Sequence, residues 1–143
     1  EIGRSERTAI ESQISRNDAN LPGEVIEFTK GLLECVRGSS MAGFRKRNIP
    51  ALLYRYFQDV TSTLQEAAKW LKPAGAIAIV IGRNTAEIDG KRVVVPTPEF
   101  IRQIGMWLGY NADPIQEMDT YPRYGLHNGN SVKTEALVIL RRH

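Results

Sequence analysis

The strongest hydrophobic pattern of the chain lies between residues 53 and 84. Its apolar side chains recur at alternating steps of three and four, which predicts one face of a long amphipathic helix. These positions are Leu53, Phe57, Val60, Leu64, Ala67, Ala68 and Leu71. We expect residues 72–75 to end the helix, because Pro73 cannot continue its hydrogen-bond ladder and Gly75 permits a reversal. Residues 76–81 form an apolar run without polar alternation, which is typical of a parallel strand covered on both faces.

A second helix and two strands are predicted further along the chain. Residues 97–108 have helical spacing, with Thr97 as the N-cap and Pro98 at the first helical position. Gly109 is well placed to end this helix in a left-handed conformation. The predicted buried face consists of Phe100, Ile101, Ile104, Trp107 and Leu108. Residues 115–121 and 134–141 are strand candidates on either side of a turn-rich stretch, and residues 85–93 are expected to form a turn.

The first part of the chain is less regular. Residues 5–15 predict a short helix with Ile10 and Ile14 on one side, and residues 22–36 predict a longer helix that starts at a proline. Cys35 lies in this second helix, where we expect a small core residue rather than a nucleophile. Residues 38–43 then predict a loop or hinge.

Composition indicates one globular domain or a large piece of one. The chain has 143 residues, of which 42% are hydrophobic and 24% charged. Its longest apolar run is far shorter than the roughly 20 residues that a membrane span needs, so no membrane partner is expected. A single cysteine excludes an internal disulfide and fits a reducing, cytoplasmic compartment. Because the chain starts at Glu1 rather than Met, we expect a processed or truncated N-terminus.

Three segments together resemble a known family. Residues 70–75 read Trp-Leu-Lys-Pro-Ala-Gly, the following apolar strand ends in Gly-Arg-Asn at 82–84, and residues 95–97 open the next helix with Val-Pro-Thr. This order resembles the C-terminal half of class I S-adenosylmethionine-dependent methyltransferases, most closely the amino-methyltransferases that modify DNA bases. The resemblance covers roughly residues 50–142. In that family the turn carries two glycines, and Ala74 replaces the first of them.

The resemblance implies an α/β fold: the C-terminal half of a Rossmann-like methyltransferase, with a long helix, a buried parallel strand, a helix and a closing antiparallel hairpin. Family members hold S-adenosylmethionine with a glycine-rich loop and orient the target amine with a Pro-Pro-aromatic motif. Neither motif occurs in this chain. We therefore expect the cofactor site and the catalytic residues on a missing N-terminal half or partner chain, without which this chain is unstable. Residues 1–48 are interpreted as a helical, substrate-contacting insertion and residues 49–143 as the methyltransferase half.

The resemblance also suggests site residues. The strand end at Gly82, Arg83 and Asn84 is expected to border the pocket of a flipped target base, since ligands of open α/β sheets bind beyond the carboxyl ends of strands. The net charge of +3 is only modestly basic, but cationic and hydroxyl side chains cluster in two places. The candidates for contact with a nucleic-acid backbone are Arg37, Ser39, Ser40, Arg45, Lys46 and Arg47, and in the turn-rich stretch Arg123 and His127. A solvated basic loop and a polar turn are the alternatives.

Other chemistry has little support in the sequence. His127 and His143 are the only histidines, and no cluster has metal-ligand spacing, so no metal is expected. Asp113 and Glu117 fit surface solvation as well as acid/base work. The expected function is methylation of an exocyclic amine of a DNA base, of the restriction-modification type. An RNA base methyltransferase and a non-catalytic recognition or scaffold subunit remain as alternatives.

Overall fold

The computed structural model describes residues 2–16, 20–119 and 134–143. Within these ranges, helices and strands follow one another in mixed order. They are α1 (Arg4–Ser15), α2 (Gly23–Gly38), α3 (Phe44–Trp70), β1 (Ala76–Gly82), β2 (Asn84–Ile88), β3 (Lys91–Val95), α4 (Thr97–Trp107), β4 (Asn111–Ala112), β5 (Gln116–Asp119) and β6 (Thr134–Arg141). The predicted helices and the described parts of the predicted strands are confirmed, whereas β4 and the hairpin formed by β2 and β3 were not predicted. Residues 120 and 121 of the strand predicted at 115–121 lie outside the described residues.

The three N-terminal helices pack against one another and share a core with α4. Ile10 and Ile14 of α1 are buried as predicted, and Phe57 of α3 contacts Phe100 of α4 edge to face at 5.5 Å between ring centroids. Helix α3 is longer than predicted, because it begins at Phe44 and continues through Pro50. A proline inside a helix removes one backbone donor, which is why the sequence pattern indicates a helix only beyond it. Cys35, expected in the core, is exposed on α2.

The turn from α3 into β1 has a different geometry from the one the sequence suggests. The left-handed residue is Ala74, with φ of +63°, whereas Gly75 does not have a positive φ. Gly75 is needed for space, because a Cβ atom there would lie 2.8 Å from the carbonyl oxygen of Lys72. The replacement of a glycine by Ala74 therefore falls on the strained position of the turn.

The main sheet is entirely antiparallel among the described residues. Strand β6 lies in its centre and pairs with β1 along one edge and with β4 and β5 along the other. The other edge of β1 has no described partner strand. The expected parallel neighbour is therefore absent from the described chain, and the strand order matches a sheet that ends in a closing hairpin.

The two faces of this sheet differ in cover. Helices α3 and α4 pack on the inner face, where Val138 and Leu140 of β6 are fully buried and Ile79 of β1 contacts the core. On the outer face of β1, Ala76 and Ala78 are exposed and Val80 is 55% exposed. The prediction that β1 is covered on both faces is wrong for the described chain, because every second residue of β1 from Ala76 to Val80 is exposed.

The structure confirms most of the predicted boundaries of helix α4. It ends in a Schellman motif: Gly109 has φ of +94°, and the amide of Tyr110 donates to the carbonyl of Gly105 at 2.9 Å. Thr97 is the first helical residue rather than the N-cap, and its hydroxyl donates back to the carbonyl of Val95 at 3.4 Å. Trp107, expected on the buried face, is half exposed.

The hairpin of β2 and β3 replaces the turn expected at residues 85–93. Asp89 and Gly90 both have positive φ angles, 50° and 72°, as a two-residue type I′ turn requires. Ile88 at the tip of β2 is buried with residues of α2 and of the loop before α3. The hairpin therefore connects the end of β1 to the loop between α2 and α3. No described helix is long and apolar enough to cross a membrane.

Candidate functional site

The carboxyl end of β1 is the place where the fold gathers polar side chains from different elements. Gly82 ends the strand, Asn84 begins the hairpin and is exposed, and Arg83 lies between them. Helix α4 starts directly after the hairpin and brings Glu99 to the same edge, while β5 brings Glu117. This edge corresponds to the predicted pocket border, and it unites residues from four elements.

Arg83 is the centre of an ion-pair cluster. Its Nη2 donates to Oε1 of Glu117 at 2.6 Å and its Nη1 to Oε2 at 2.9 Å, which makes a bidentate pair. Its Nε donates to Oε1 of Glu99 at 3.1 Å, and Nη2 also bonds that oxygen. The hydrogen bonds with Glu117 and then Glu99 raise the pKa of Arg83, and Arg83 lowers the pKa of Glu117. Arg83 thus bonds both carboxylates and links α4 and β5 to the end of β1.

Acceptor oxygens dominate this edge. Oε2 of Glu99 and Oε1 of Gln103, one turn further along α4, are buried without a hydrogen-bond partner. The side-chain amide of Gln103 donates to Glu24 of α2. Two carboxylates against one guanidinium leave the Arg83 cluster with a net negative charge. Such an edge attracts cations more than phosphate.

The basic loop between α2 and α3 has a braced structure rather than that of a flexible hinge. Ser39 is buried, and its hydroxyl donates to the carboxylate of Asp89 at the hairpin turn. Nε of Arg47 donates to the carbonyl oxygen of Ala42 at 2.8 Å. Ser39 and Arg47 therefore hold the loop in place and are less available to a nucleic acid than the sequence suggested.

The remaining candidates of this region differ in how free they are. Arg37 lies 3.5 Å from Glu11 of α1 in an ion pair, so its charge is partly balanced. Ser40 and Arg45 are exposed, and Lys46 is half-buried. Neither Arg45 nor Lys46 forms an ion pair within the described ranges. Arg123 and His127 lie outside the described residues.

The two acidic candidates for acid/base chemistry are occupied by arginines. Asp113 accepts from Arg141, with Nη2 and Oδ2 2.8 Å apart, and this contact lowers the pKa of Asp113. Arg83 lowers the pKa of Glu117 in the same way. A general acid needs a raised pKa, so neither carboxylate is suited to that role. In the part of the chain that the structure describes, no group of three metal-ligating side chains occurs.

Sequence reasoning missed Glu99 and the hairpin that positions it. Glu99 follows Thr97-Pro98 and looked like an ordinary first-turn acid of a helix. The Asp89-Gly90 pair between apolar-alternating segments was the available signal for the hairpin. The pairing of Glu99 with Arg83 has no sequence signal, because it depends on how the hairpin returns the chain to the end of β1.

Comparison with known proteins identifies the fold. No protein-family model matches the chain, and no curated protein matches it. Two crystal structures of TTHA0409 from Thermus thermophilus, a proposed DNA modification methylase, do match: one is a complex with S-adenosyl-L-methionine and the other a selenomethionine derivative. They superpose with TM-scores of 0.52 and 0.51 at 18% sequence identity.

The matched region covers 62% of this chain and 37% of TTHA0409. The chain therefore has part of a methyltransferase-like α/β fold, which confirms the fold class expected from the resemblance. At the carboxyl end of β1, Arg83 is paired with carboxylates of the same chain.

Proposed function

We propose that the chain is the C-terminal half of a methyltransferase that transfers a methyl group from S-adenosylmethionine to an exocyclic amine of a DNA base. An N-terminal half, on the same polypeptide or on a partner chain, supplies the cofactor site and the residues that orient the amine. This chain supplies a wall of the base pocket at Gly82, Arg83 and Asn84. In this proposal Arg83 shapes the wall through its carboxylate partners rather than by binding the base.

The observation that carries the proposal is the incomplete cover of β1. One edge of β1 lacks a described partner strand, and its outer face exposes Val80 among alanines. An apolar strand with an open edge aggregates unless it is paired or covered. A parallel strand from another segment would pair with the open edge of β1, and a helical layer from that segment would cover its outer face. The match to only 37% of TTHA0409 supports the same division.

The choice of DNA as substrate rests on two supports. TTHA0409, which has the same fold in this region, is a proposed DNA modification methylase. The first turn of α3, directly after the loop from α2, carries Arg45 and Lys46 without ion-pair partners in the described chain. Cations of this kind are the usual ligands of phosphate. A restriction-modification role extends this proposal and would require a cognate nuclease.

The test is a methyl-transfer assay with the complete protein, in which this chain is joined to its N-terminal half. Unmethylated plasmid DNA and total RNA are incubated separately with radiolabelled S-adenosylmethionine, and the modified nucleosides are identified by mass spectrometry. We expect label in DNA, as N6-methyladenine or N4-methylcytosine. Label in RNA alone would establish the RNA base methyltransferase instead. No label in either substrate would favour the non-catalytic scaffold.

A further inference from the structure

The loop between α2 and α3 presents an apolar side chain in an unusual setting. Met41 is 88% exposed, and Phe44, three residues later at the start of α3, is 53% exposed. Single exposed apolar residues are normal on protein surfaces. Here, however, the backbone on both sides of Met41 is fixed, so the exposed side chain is held at a defined place.

The bracing involves both sides of the loop. The amide of Met41 donates to the hydroxyl of Ser39 at 3.3 Å, and Ser39 is itself bonded to Asp89 of the hairpin turn. On the other side, Ala42 is buried in a small core with Ile88 of the hairpin, and its carbonyl accepts from Arg47 at 2.8 Å. Met41 therefore projects from a loop anchored immediately before and after it.

The charges around Met41 indicate what it contacts. Arg45 and Lys46 lie shortly after it, in the first turn of α3, and have no ion pair among the described residues. The guanidinium carbon of Arg7 lies 5.8 Å from the ring centroid of Phe44, but Arg7 is paired with Glu11 at 3.6 Å, so the free charges of this surface are those of Arg45 and Lys46. An apolar tip bordered by cations is complementary to DNA, in which apolar base steps lie between phosphates.

We propose that Met41 is a wedge that inserts against a base step of the DNA substrate, while Arg45 and Lys46 contact the flanking phosphates. This inference rests on the proposed function and adds a contact that the sequence analysis did not include. Methionine suits the role because its unbranched, polarisable side chain adapts to irregular apolar surfaces. Wedges of this kind unstack a step and bend the duplex, which lowers the cost of extruding a nearby base.

The hairpin fixes where the wedge acts. Strand β2 runs from Asn84 at the carboxyl end of β1 to Ile88 beside the loop. Five residues of strand span about 16 Å. At about 3.4 Å per base pair, the wedge would lie up to about five base pairs from the base in the pocket. The length of β2 thus sets an upper limit on the distance between the wedge and the target base, and the proposal places Met41 at a flanking step within that limit.

The experiment uses the complete methyltransferase and duplexes that carry 2-aminopurine at successive positions around the target base. Unstacking raises 2-aminopurine fluorescence. We expect the wild-type protein to raise it at one flanking step and Met41→Ala to abolish that rise. Met41→Ala should also weaken duplex binding by about tenfold without changing the salt dependence. Met41→Leu should retain the signal.

Two control variants separate the wedge from other effects. Met106→Ala removes another half-exposed methionine, on α4, and should behave as wild type. Arg45→Ala should lower the salt slope of binding by about one phosphate contact and leave the position of the fluorescence rise unchanged. Circular dichroism and thermal melting of each variant establish that it is folded.

The possible outcomes distinguish the wedge from the proposed function. If wild-type protein methylates DNA and Met41→Ala matches it in affinity and in fluorescence, the wedge is overturned and the proposed function stands. If Met41→Ala instead loses association with the N-terminal half in size-exclusion chromatography, Met41 belongs to a protein interface, and the wedge is again overturned. If the wild-type protein transfers no methyl group to DNA, the proposed function fails, and the wedge, which rests on it, is overturned with it.

Discussion

The two faces of the β1–β6 sheet are both apolar, but only one of them is covered. On the inner face, Val138 and Leu140 are completely buried under helices. On the outer face, Leu137 and Ile139 are half-buried, and Val80 is exposed although it stands in an apolar strand. A sheet that faced water on one side would alternate apolar and polar residues. The outer face therefore has the sequence of a covered surface without a described cover.

If the chain is half of a methyltransferase domain, as we propose, the difference between the faces indicates where the other half packs. Helices of this chain occupy one side of the sheet, so the other side and the open edge of β1 are available for a second segment. The prediction from sequence that β1 is covered on both faces was wrong for the described chain. Under the proposed function, the residues of β1 suit the complete domain rather than this segment alone.

The largest expected effect comes from placing a charge on the outer face. Val80→Lys should reduce methyl transfer by the complete protein about 100-fold, because an unpaired ammonium under a covering layer costs several kcal/mol. Val94→Lys is the matched control: Val94 is also half exposed, on the hairpin, and its substitution should leave the methyl-transfer rate unchanged. Full activity of the Val80→Lys protein would mean that no layer packs on this face.

Core substitutions on the inner face should differ between the two strands. Leu140→Ala on β6 should lower the free energy of unfolding by about 3 kcal/mol, because Leu140 is completely buried. Ile79→Ala on β1 should cost only about 1 kcal/mol in this chain alone, because Ile79 is half-buried. In the complete protein the cost at Ile79 should approach that at Leu140. Urea denaturation of Leu140→Ala and Ile79→Ala, in this chain alone and in the complete protein, measures these losses of unfolding free energy. Equal losses for the two variants in the isolated chain would contradict the prediction.

The turn into β1 allows a stabilising substitution. Ala74→Gly should raise the free energy of unfolding by about 0.5 kcal/mol, because relief of left-handed strain exceeds the added chain entropy of glycine. Gly75→Ala should lower it by about 2 kcal/mol, since its Cβ would meet the carbonyl oxygen of Lys72 at 2.8 Å. Thermal melting of both variants checks the signs. If Ala74→Gly instead lowered the free energy of unfolding and Gly75→Ala raised it, Gly75 rather than Ala74 would be the left-handed residue of the turn.

The smallest expected effect is the pH dependence of the Arg83 cluster. Arg83 lowers the pKa of Glu117 below its ordinary value of 4.5 in the folded state. The stabilisation is therefore complete above that pH and is lost as the pH falls through the lowered pKa. Arg83→Gln should flatten the decrease of unfolding free energy below pH 4.5. Because Glu117 is exposed, the difference between wild type and Arg83→Gln should also shrink in high salt. If the unfolding free energies of the two proteins had the same pH dependence in acid, the stabilising role of the Arg83–Glu117 pair would be contradicted.

Local patterns predicted the helices and most strands of this chain, because burial on one face leaves a periodic signal. Ile10 and Ile14, the Schellman glycine at 109 and strand β6 all followed from such signals. Helix α3 was underestimated because Pro50 interrupts its propensity while packing holds the helix together. Its true start at Phe44 depends on tertiary contacts.

The candidate site was only partly predictable. The position of Arg83 at the end of β1 followed from the order of elements, but its two carboxylate partners come from distant segments and required the structure. Likewise, the basic loop was identified by composition, whereas the bracing of Ser39 by Asp89 depends on a hairpin that was expected to be a turn. Long-range pairings of this kind have no periodic signal.

Hydrogen exchange of the β1 amides tests the central claim most directly. Every residue of β1 pairs in register with β6 in an antiparallel ladder, so alternate amides of β1 point to β6 and to the open edge. In this chain alone, we predict protection at every second amide of residues 76–82. In the complete protein, we predict protection at all of them. Uniform protection in the isolated chain, or an unchanged alternation in the complete protein, would contradict a missing strand beside β1.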